Sequence, residues 1–369
     1  MAGIYVHIPY CKSFCIYCDF YSELSCAESS ESFLTSFGEE CSARSAEAVR
    51  AGTIKTLYLG GGTPSLLSLD MLRRIFSSLR ASFDLSALEE VTIEVNPDDI
   101  SSKGKSWLAG LKELGVNRIS MGVQSFDDRI LKWMNRRHDS AEALEAYMML
   151  RDAGFDNVGI DLIFGFSGLG TDTWRHTLET AVSLAPLPPE HISAYGMSLE
   201  PGSLLSSLYD KGDYVEPEDS EIAGQYSLLQ DVLSEAGYLQ YEVSNFSLPG
   251  KHSRHNTSYW EGVPYIGLGP SAHSLSLLPD GRRMRSWNVP DLGKYIAGER
   301  CGGREILTFD EMREEDLMLG LRWSGGAEVP VSEAAPLVRE GLLVPLPGGR
   351  YRIPPEKFFI SEYIIRKLL

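Results

Sequence analysis

Cys11-Lys12-Ser13-Phe14-Cys15-Ile16-Tyr17-Cys18 directly follows an apolar, β-branched start, Gly3-Ile4-Tyr5-Val6-His7-Ile8-Pro9. Three thiols at this spacing converge on one small inorganic centre, and soft thiolates select iron–sulfur clusters, zinc or copper over hard cations. A [4Fe-4S] cubane held by Cys11, Cys15 and Cys18 keeps one iron without a protein ligand. That open position suits binding of a small molecule better than plain electron transfer. On the residues alone, the alternative is a structural zinc with His7 as fourth ligand.

Outward from this loop, apolar β-branched runs alternate with helix-length segments, the pattern of βαβ units and a parallel sheet. The runs fall at residues 4–8, 56–59, 91–95, 118–121, 158–164 and 191–197. Helices are expected at 69–79, 104–114, 141–153 and 173–184, with glycine stops at Gly115 and Gly154. The fold class is therefore α/β, a partial six-unit (β/α) barrel open on one side. In such barrels chemistry gathers at the C-terminal strand ends. The unusual motifs lie there: the cysteine loop, Gly60-Gly61-Gly62-Thr63-Pro64-Ser65, Glu94-Val95-Asn96-Pro97-Asp98, Ser120-Met121-Gly122-Val123-Gln124-Ser125 and Ile160-Asp161-Leu162.

Composition agrees with a globular chain. Its 369 residues are 43% hydrophobic and 23% charged, enough for one large domain and a small one. Lys and Arg number 34 against 51 Asp and Glu, and the net charge of −17 argues against a nucleic-acid partner that needs phosphate neutralisation. Six cysteines in a chain of this size are no disulfide framework, so a reducing compartment is expected. Cys26, Cys41 and Cys301 show no partner spacing and read as small buried residues. No run of about 18 apolar residues and no secretory signal pattern is found, so a cytoplasmic location without a transmembrane segment is expected.

Cys-x-x-x-Cys-x-x-Cys near the start of the chain, with Tyr17 before the last cysteine, resembles the radical S-adenosylmethionine (SAM) family. The flanks Tyr5-Val6-His7-Ile8-Pro9-Tyr10-Cys11 and Cys18-Asp19-Phe20-Tyr21-Ser22 look like its coproporphyrinogen oxidase branch. The resemblance implies a [4Fe-4S] cluster on Cys11, Cys15 and Cys18, whose open iron takes the amino and carboxylate groups of SAM. It assigns Gly61, Gly62 and Thr63 to the SAM amino group and Asp161, which on the residues alone also reads as a buried structural pair, to the ligand; Glu94, inward at the end of its strand, is an acceptor for SAM or else a solvated strand-end acid. Gln124 and Arg136, the latter in Asn135-Arg136-Arg137-His138, fall to the ribose and carboxylate region, where an Arg fork suits a carboxylate. Tyr5 and Tyr17 line the cluster and SAM. No residue is assigned as catalytic.

Within the branch two functions compete. The oxygen-independent coproporphyrinogen III oxidase carries a fourth cysteine two residues after the third and a long N-terminal extension. This chain has Phe20 at that position and starts ten residues before Cys11, as the branch's haem chaperones do. The segment His255-Asn256-Thr257-Ser258-Tyr259-Trp260 is also characteristic of the chaperone group. A His beside Tyr and Trp is a candidate axial iron ligand against a porphyrin face, and a packed structural corner reads equally well. His255 is the first candidate, His252 and His273 lesser ones. The expected function is a haem chaperone whose partners are haem, SAM and client haemoproteins, touching a membrane only peripherally through clients. The alternative is the oxidase of porphyrin biosynthesis.

Three regions are expected: residues 1–200 as the barrel core, 201–304 as a branch-specific extension, and 305–369 as a small winged-helix-like α+β unit. In the extension, 216–236 reads as an acidic helix and 238–246 as a strand. The last region opens on a capping box at Thr308-Phe309-Asp310-Glu311, with a hairpin about Gly348-Gly349 and an apolar helix at 358–369. It lacks the basic face of a DNA-binding module.

Overall fold

The computed structural model describes residues 1–25 and 27–369, residues 27–29 by their backbone only. Six parallel strands form the barrel wall: β1 (Ala2–Ile8), β2 (Ile54–Gly61), β3 (Glu90–Val95), β4 (Arg118–Gln124), β5 (Val158–Phe164) and β6 (His191–Gly196). The period of two sorts their side chains. One set, including Ile4, Leu57, Leu59, Ile93, Ile119, Ile160 and Ile192, is fully buried in the hydrophobic core. The alternate set is largely polar and keeps register across the wall: Tyr5 beside Tyr58, Tyr58 beside Thr92, Glu94 beside Ser120, and Asp161 beside both Gly122 and Ser193. The barrel interior is thus a polar lumen inside an apolar shell.

The helices after these strands are α1 (Ala27–Ala51), α2 (Leu69–Ser82), α3 (Pro97–Leu114), α4 (Asp128–Trp133), α5 (Ser140–Asp152) and α6 (Thr171–Val182). Side-chain caps start three of them: the Ser68 hydroxyl accepts from the Met71 N–H, Asp127 caps α4, and Asp139 and Glu142 form a capping box. Gly115 ends α3 in the left-handed conformation, as its position after the periodic segment predicts. Gly104, with φ 69°, breaks α3 into two parts, so the predicted start at residue 104 marks the second of them. The long α1 carries no strong apolar stripe and is absent from the sequence reading; it buries Phe33, Phe37 and Cys41 in the core.

The extension does not form a separate sheet. After α7 (Leu204–Lys211) and α8 (Asp219–Glu235), β7 (Leu239–Gln240) pairs antiparallel with β8 (Asn245–Ser247), which in turn pairs antiparallel with β6. The strand expected over 238–246 is therefore two short strands with a turn between them. Beyond α9 (Arg254–Trp260), β9 (Tyr265–Leu268) pairs parallel with β1. It is followed by β10 (His273–Leu277), β11 (Arg283–Asn288), α10 (Leu292–Ile296) and β12 (Cys301–Ile306). The result is one twelve-stranded sheet, β12-β11-β10-β9-β1-β2-β3-β4-β5-β6-β8-β7.

Helix α9 plugs the N-terminal end of the barrel. The Glu90 carboxylate, at the start of β3, accepts the backbone N–H groups of Arg254 (2.8 Å) and His255 (2.9 Å). This places a negative charge at the helix start, where it is favoured. The His255 ring then packs on β1 and β2; a Cβ on Gly3 would lie 3.2 Å from its Cε1 and 2.8 Å from Thr56 Oγ1.

The C-terminal unit has α11 (Phe309–Gly320), β13 (Ala327–Glu328), α12 (Val331–Arg339), a hairpin of β14 (Val344–Leu346) and β15 (Arg350–Arg352), and α13 (Ser361–Arg366). Its sheet order is β13-β15-β14, and the Thr308–Glu311 capping box is present. The apolar helix expected over 358–369 is shorter, because residues Pro355–Ile360 form a 3-10 turn ahead of α13. Cys41 is buried as expected, whereas Cys301 is exposed on the edge strand β12. Cys26 lies outside the described residues.

Candidate cofactor site

A cavity of about 1120 Å³ opens at the C-terminal ends of the strands. It exceeds the ~300–1,000 Å³ usual for a small-molecule site, so a cluster and a small ligand have room together. Cys11, Cys15, Cys18, Tyr17, Gly61, Gly62, Thr63, Glu94, Gln124, Arg136 and Asp161 all line it. Loops far apart in the chain therefore meet in one place.

The cysteine loop leaves the end of β1, and its three thiols are half-buried. Burial pushes the Cys18 thiol up to about 12; the Phe20 backbone N–H works against this, and the charges of Cys15 and Cys11 add to it. Three thiols gathered in one half-buried loop are stabilised as thiolates by a bound metal centre, which fits the cluster. Thr63 Oγ1 lies 3.5 Å from Cys11 Sγ, and Arg136 Nη1 donates to Cys15 Sγ at 3.3 Å. His7 is committed elsewhere. Its Nε2 donates to the Tyr21 carbonyl (2.8 Å), and its Nδ1 accepts from Tyr5 Oη (3.2 Å). Burial lowers its pKa to about 4. The zinc alternative therefore lacks its fourth ligand.

The glycine loop is shaped by the neighbouring chain as much as by a ligand. Gly61 has φ 105°, and a Cβ there would lie 2.7 Å from His7 Nδ1; a Cβ on Gly62 would lie 2.6 Å from the Tyr10 carbonyl oxygen. Only glycine lets β2 run this close to the cysteine loop.

Glu94 borders the cavity yet is ringed by protein, and its Oε1 accepts from Tyr58 Oη at 2.8 Å. Burial pushes it up to about 7, with the Tyr58 hydrogen bond opposing and the Asp161 charge adding. Burial likewise raises Asp161, against hydrogen bonds from Ser193 and Ser120 and the Arg118 charge. Asp161 is thus paired, as an acid inside an apolar strand requires. Gln124 ends β4 at φ 71°, next to a register shift between Gly122 and Gln124. This irregularity brings its side chain to the cavity wall, and strained non-glycine backbone of this kind clusters at functional sites.

Arg136 is bonded inward on several sides. Nη2 donates to Asn96 Oδ1 (2.6 Å) and to the Gly122 carbonyl (2.7 Å), while the buried Nε has no partner. The fork expected to face a SAM carboxylate thus already touches a cluster ligand, with one nitrogen left over.

Two sequence candidates do not reach the cavity wall. Tyr5 sits in the lumen beside Tyr58, with ring centroids 6.1 Å apart. His255 is 1% exposed in the plug; its Nδ1 shares a hydrogen bond with Thr56 Oγ1 (2.8 Å), and its Nε2 with Tyr259 Oη (2.8 Å). It stacks on Tyr58 at 5.1 Å. Neither ring nitrogen is free in this arrangement, and the packed corner is the reading that the geometry matches. His252 and His273 are exposed, the latter stacked on Trp287. Sequence reading missed Tyr58, Asn96, Ser120 and Tyr195, which also line the cavity. The alternation that singled out Glu94 also points Tyr58 and Ser120 inward, and that was the available signal.

A parallel barrel with a three-cysteine loop and a glycine loop at its strand ends defines a radical SAM protein, and the radical SAM superfamily model matches residues 5–181. The heme chaperone HemW of Lactococcus lactis is 34% identical over 99% of this chain and 90% of its own length. That of Escherichia coli is 34% identical over 81% of this chain and 78% of its own. A Danio rerio relative, radical S-adenosyl methionine domain-containing protein 1, mitochondrial, is 33% identical over 88% of this chain and 73% of its own. The solved structure of coproporphyrinogen III oxidase (HemN) from Escherichia coli superimposes with a TM-score of 0.80 at 21% identity, covering 100% of this chain and 89% of that one, and shares the fold. The chain belongs to the HemW family of the radical SAM superfamily.

Proposed function

We propose that this protein is a haem chaperone: it binds haem, keeps a [4Fe-4S] cluster with SAM, and passes haem to client haemoproteins. The observation that carries the reading is the similarity, over nearly the whole chain, to a protein named heme chaperone, in a chain whose cavity gathers the three cysteines and the expected SAM residues other than Tyr5. Bound at Cys11, Cys15 and Cys18, the cluster supplies an open iron for the SAM amino and carboxylate groups. Thr63 and Arg136 contact the Cys11 and Cys15 thiols, Glu94 and Asp161 accept hydrogen bonds from the ligand, and Gln124 closes the wall. The three thiols call for a reducing compartment, in keeping with a cytoplasmic location; no helix among the described residues is long and apolar enough to cross a membrane. If His255 ligates haem, its ring has to leave Thr56 and Tyr259.

The oxidase is the second reading, since that fold covers the whole chain. The deciding experiment uses anaerobically reconstituted protein with its iron and sulfide content verified. Coproporphyrinogen III, SAM and a reductant are added and protoporphyrinogen is sought; in parallel haem is titrated and its Soret band followed. Haem retention without product is the expected result. Catalytic product formation would overturn it in favour of the oxidase.

A further inference from the structure

Asp99, in the first turn of α3, is fully buried, and its carboxylate ties together three loops. Oδ1 accepts from Lys12 Nζ at 2.8 Å, in the cysteine loop next to Cys11. Oδ2 accepts from Ser65 Oγ at 2.7 Å, just past the glycine loop, and from Arg137 Nη2 at 3.3 Å, next to Arg136. Asp98 takes the other Arg137 nitrogen at 2.6 Å, and Ser65 Oγ in turn accepts the Asn96 N–H at 3.1 Å. Each tethered residue thus lies within two positions of a group on the cavity wall: Cys11, Thr63 and Arg136. A buried carboxylate satisfied by two cations and a hydroxyl holds its partners in one geometry, because releasing any of them exposes an uncompensated charge.

We propose that Asp99 is a positioning residue, which fixes the orientation of the cluster loop against the SAM-facing wall formed by the glycine loop and Arg136. The cysteines alone suffice to hold a cluster. Asp99 decides which way its open iron faces, and so acts on SAM affinity more than on cluster content. The proposal rests on the cluster and SAM reading of the cavity and is independent of haem transfer.

The test compares anaerobically reconstituted wild type, Asp99→Asn, Lys12→Met and, as a structural control, Glu190→Gln, which breaks a buried ion pair with Arg151 (2.9 Å). Iron and sulfide per chain, thermal stability, the dissociation constant for labelled SAM, and the EPR signal of the reduced cluster with and without SAM are measured. Asp99→Asn is expected to keep its cluster, to bind SAM about tenfold more weakly, the scale of one charge-assisted hydrogen bond, and to lose the SAM-induced change in the EPR signal. Lys12→Met, which removes one half-exposed partner of Asp99 and leaves the carboxylate its Ser65 and Arg137 bonds, shifts SAM affinity in the same direction, so the proposal stays testable if Asp99→Asn folds poorly. Glu190→Gln lowers stability and leaves SAM affinity alone. SAM affinity and EPR response like wild type in both Asp99→Asn and Lys12→Met overturn the proposal. A wild-type chain that assembles no cluster overturns the underlying reading and the proposal with it.

Discussion

Arg136 donates from Nη1 to Cys15 Sγ at 3.3 Å while its other terminal nitrogen is held by Asn96 and the Gly122 carbonyl. The guanidinium is thereby fixed from two strand ends, β3 and β4, and carries its positive charge to a sulfur that the family's motif assigns to the cluster. Hydrogen bonds and charge at cluster sulfurs set reduction potential.

Replacing Arg136 by Gln removes that charge. The cluster's potential is expected to fall, by about 60 mV for each ~1.4 kcal/mol of net interaction lost. An EPR-monitored redox titration of reconstituted protein measures it, with iron content as the control. An unchanged potential in fully loaded Arg136→Gln protein would show that the contact does not tune the cluster.

Glu94 provides a pH dependence. Its folded pKa of about 7 lies above the ordinary glutamate value because burial disfavours the charge. The group's contribution to stability is therefore greatest below the unfolded value and is lost as pH rises through about 7. SAM binding runs the other way if the carboxylate accepts hydrogen bonds from it: affinity rises across that range and levels off above it. Tyr58→Phe removes the hydrogen bond that stabilises the ionised form and moves the midpoint upward. Equilibrium dialysis of SAM from about pH 6 to about pH 8, bracketing that value, gives the profile, and a flat one in wild type rules the role out.

His255→Ala is expected to destabilise the haem-free protein by about 2–4 kcal/mol, since it deletes two buried hydrogen bonds and a ring stacked on Tyr58. Exposed His252→Ala should change it by less than about 0.5 kcal/mol. Urea unfolding of the haem-free chains separates the two. Equal stability would mean that the plug tolerates loss of the ring, and would return His255 to the haem ligand role.

At Gly62 a Cβ would lie 2.6 Å from the Tyr10 carbonyl oxygen and 3.0 Å from that of Ile8. Gly62→Ala has to push β2 away from the cysteine loop, at a cost of about 1–3 kcal/mol. The expected readout is a lower unfolding midpoint together with loss of SAM binding. Retention of both would place the loop farther from β1 than the structure does.

Much of the architecture was legible because it depends on local pattern. β-branched runs and glycine stops marked all six barrel strands, and β5 was located to the residue, since a strand buried on both faces reads as a short continuous apolar run bounded by turn residues. Helix α1 was not legible: its apolar residues are diluted by Ser, Glu and Ala, and it is held by packing on α2 and α10. The strand expected over 238–246 failed because Glu242 and Ser244, in the turn between β7 and β8, interrupt the run with a local hydrogen bond from the Ser244 N–H to the Glu242 carboxylate.

By itself the sequence determined the ligand chemistry and the order of the parts: three thiols at cluster spacing, a glycine loop one strand later, and acids and an arginine at successive strand ends. Tertiary structure alone decided where side chains with several plausible partners point. His255 turns into the plug because Glu90, far away in sequence, caps its helix; Arg136 turns toward Cys15 because Asn96 and Gly122 hold it there; and Asp99 joins Lys12, Ser65 and Arg137 because the ends of four strands, β1 to β4, converge. The physical reason is the same in each case. A polar side chain leaving water takes whichever partner the fold brings within hydrogen-bonding reach, and long-range contacts of that kind leave no local periodicity to read.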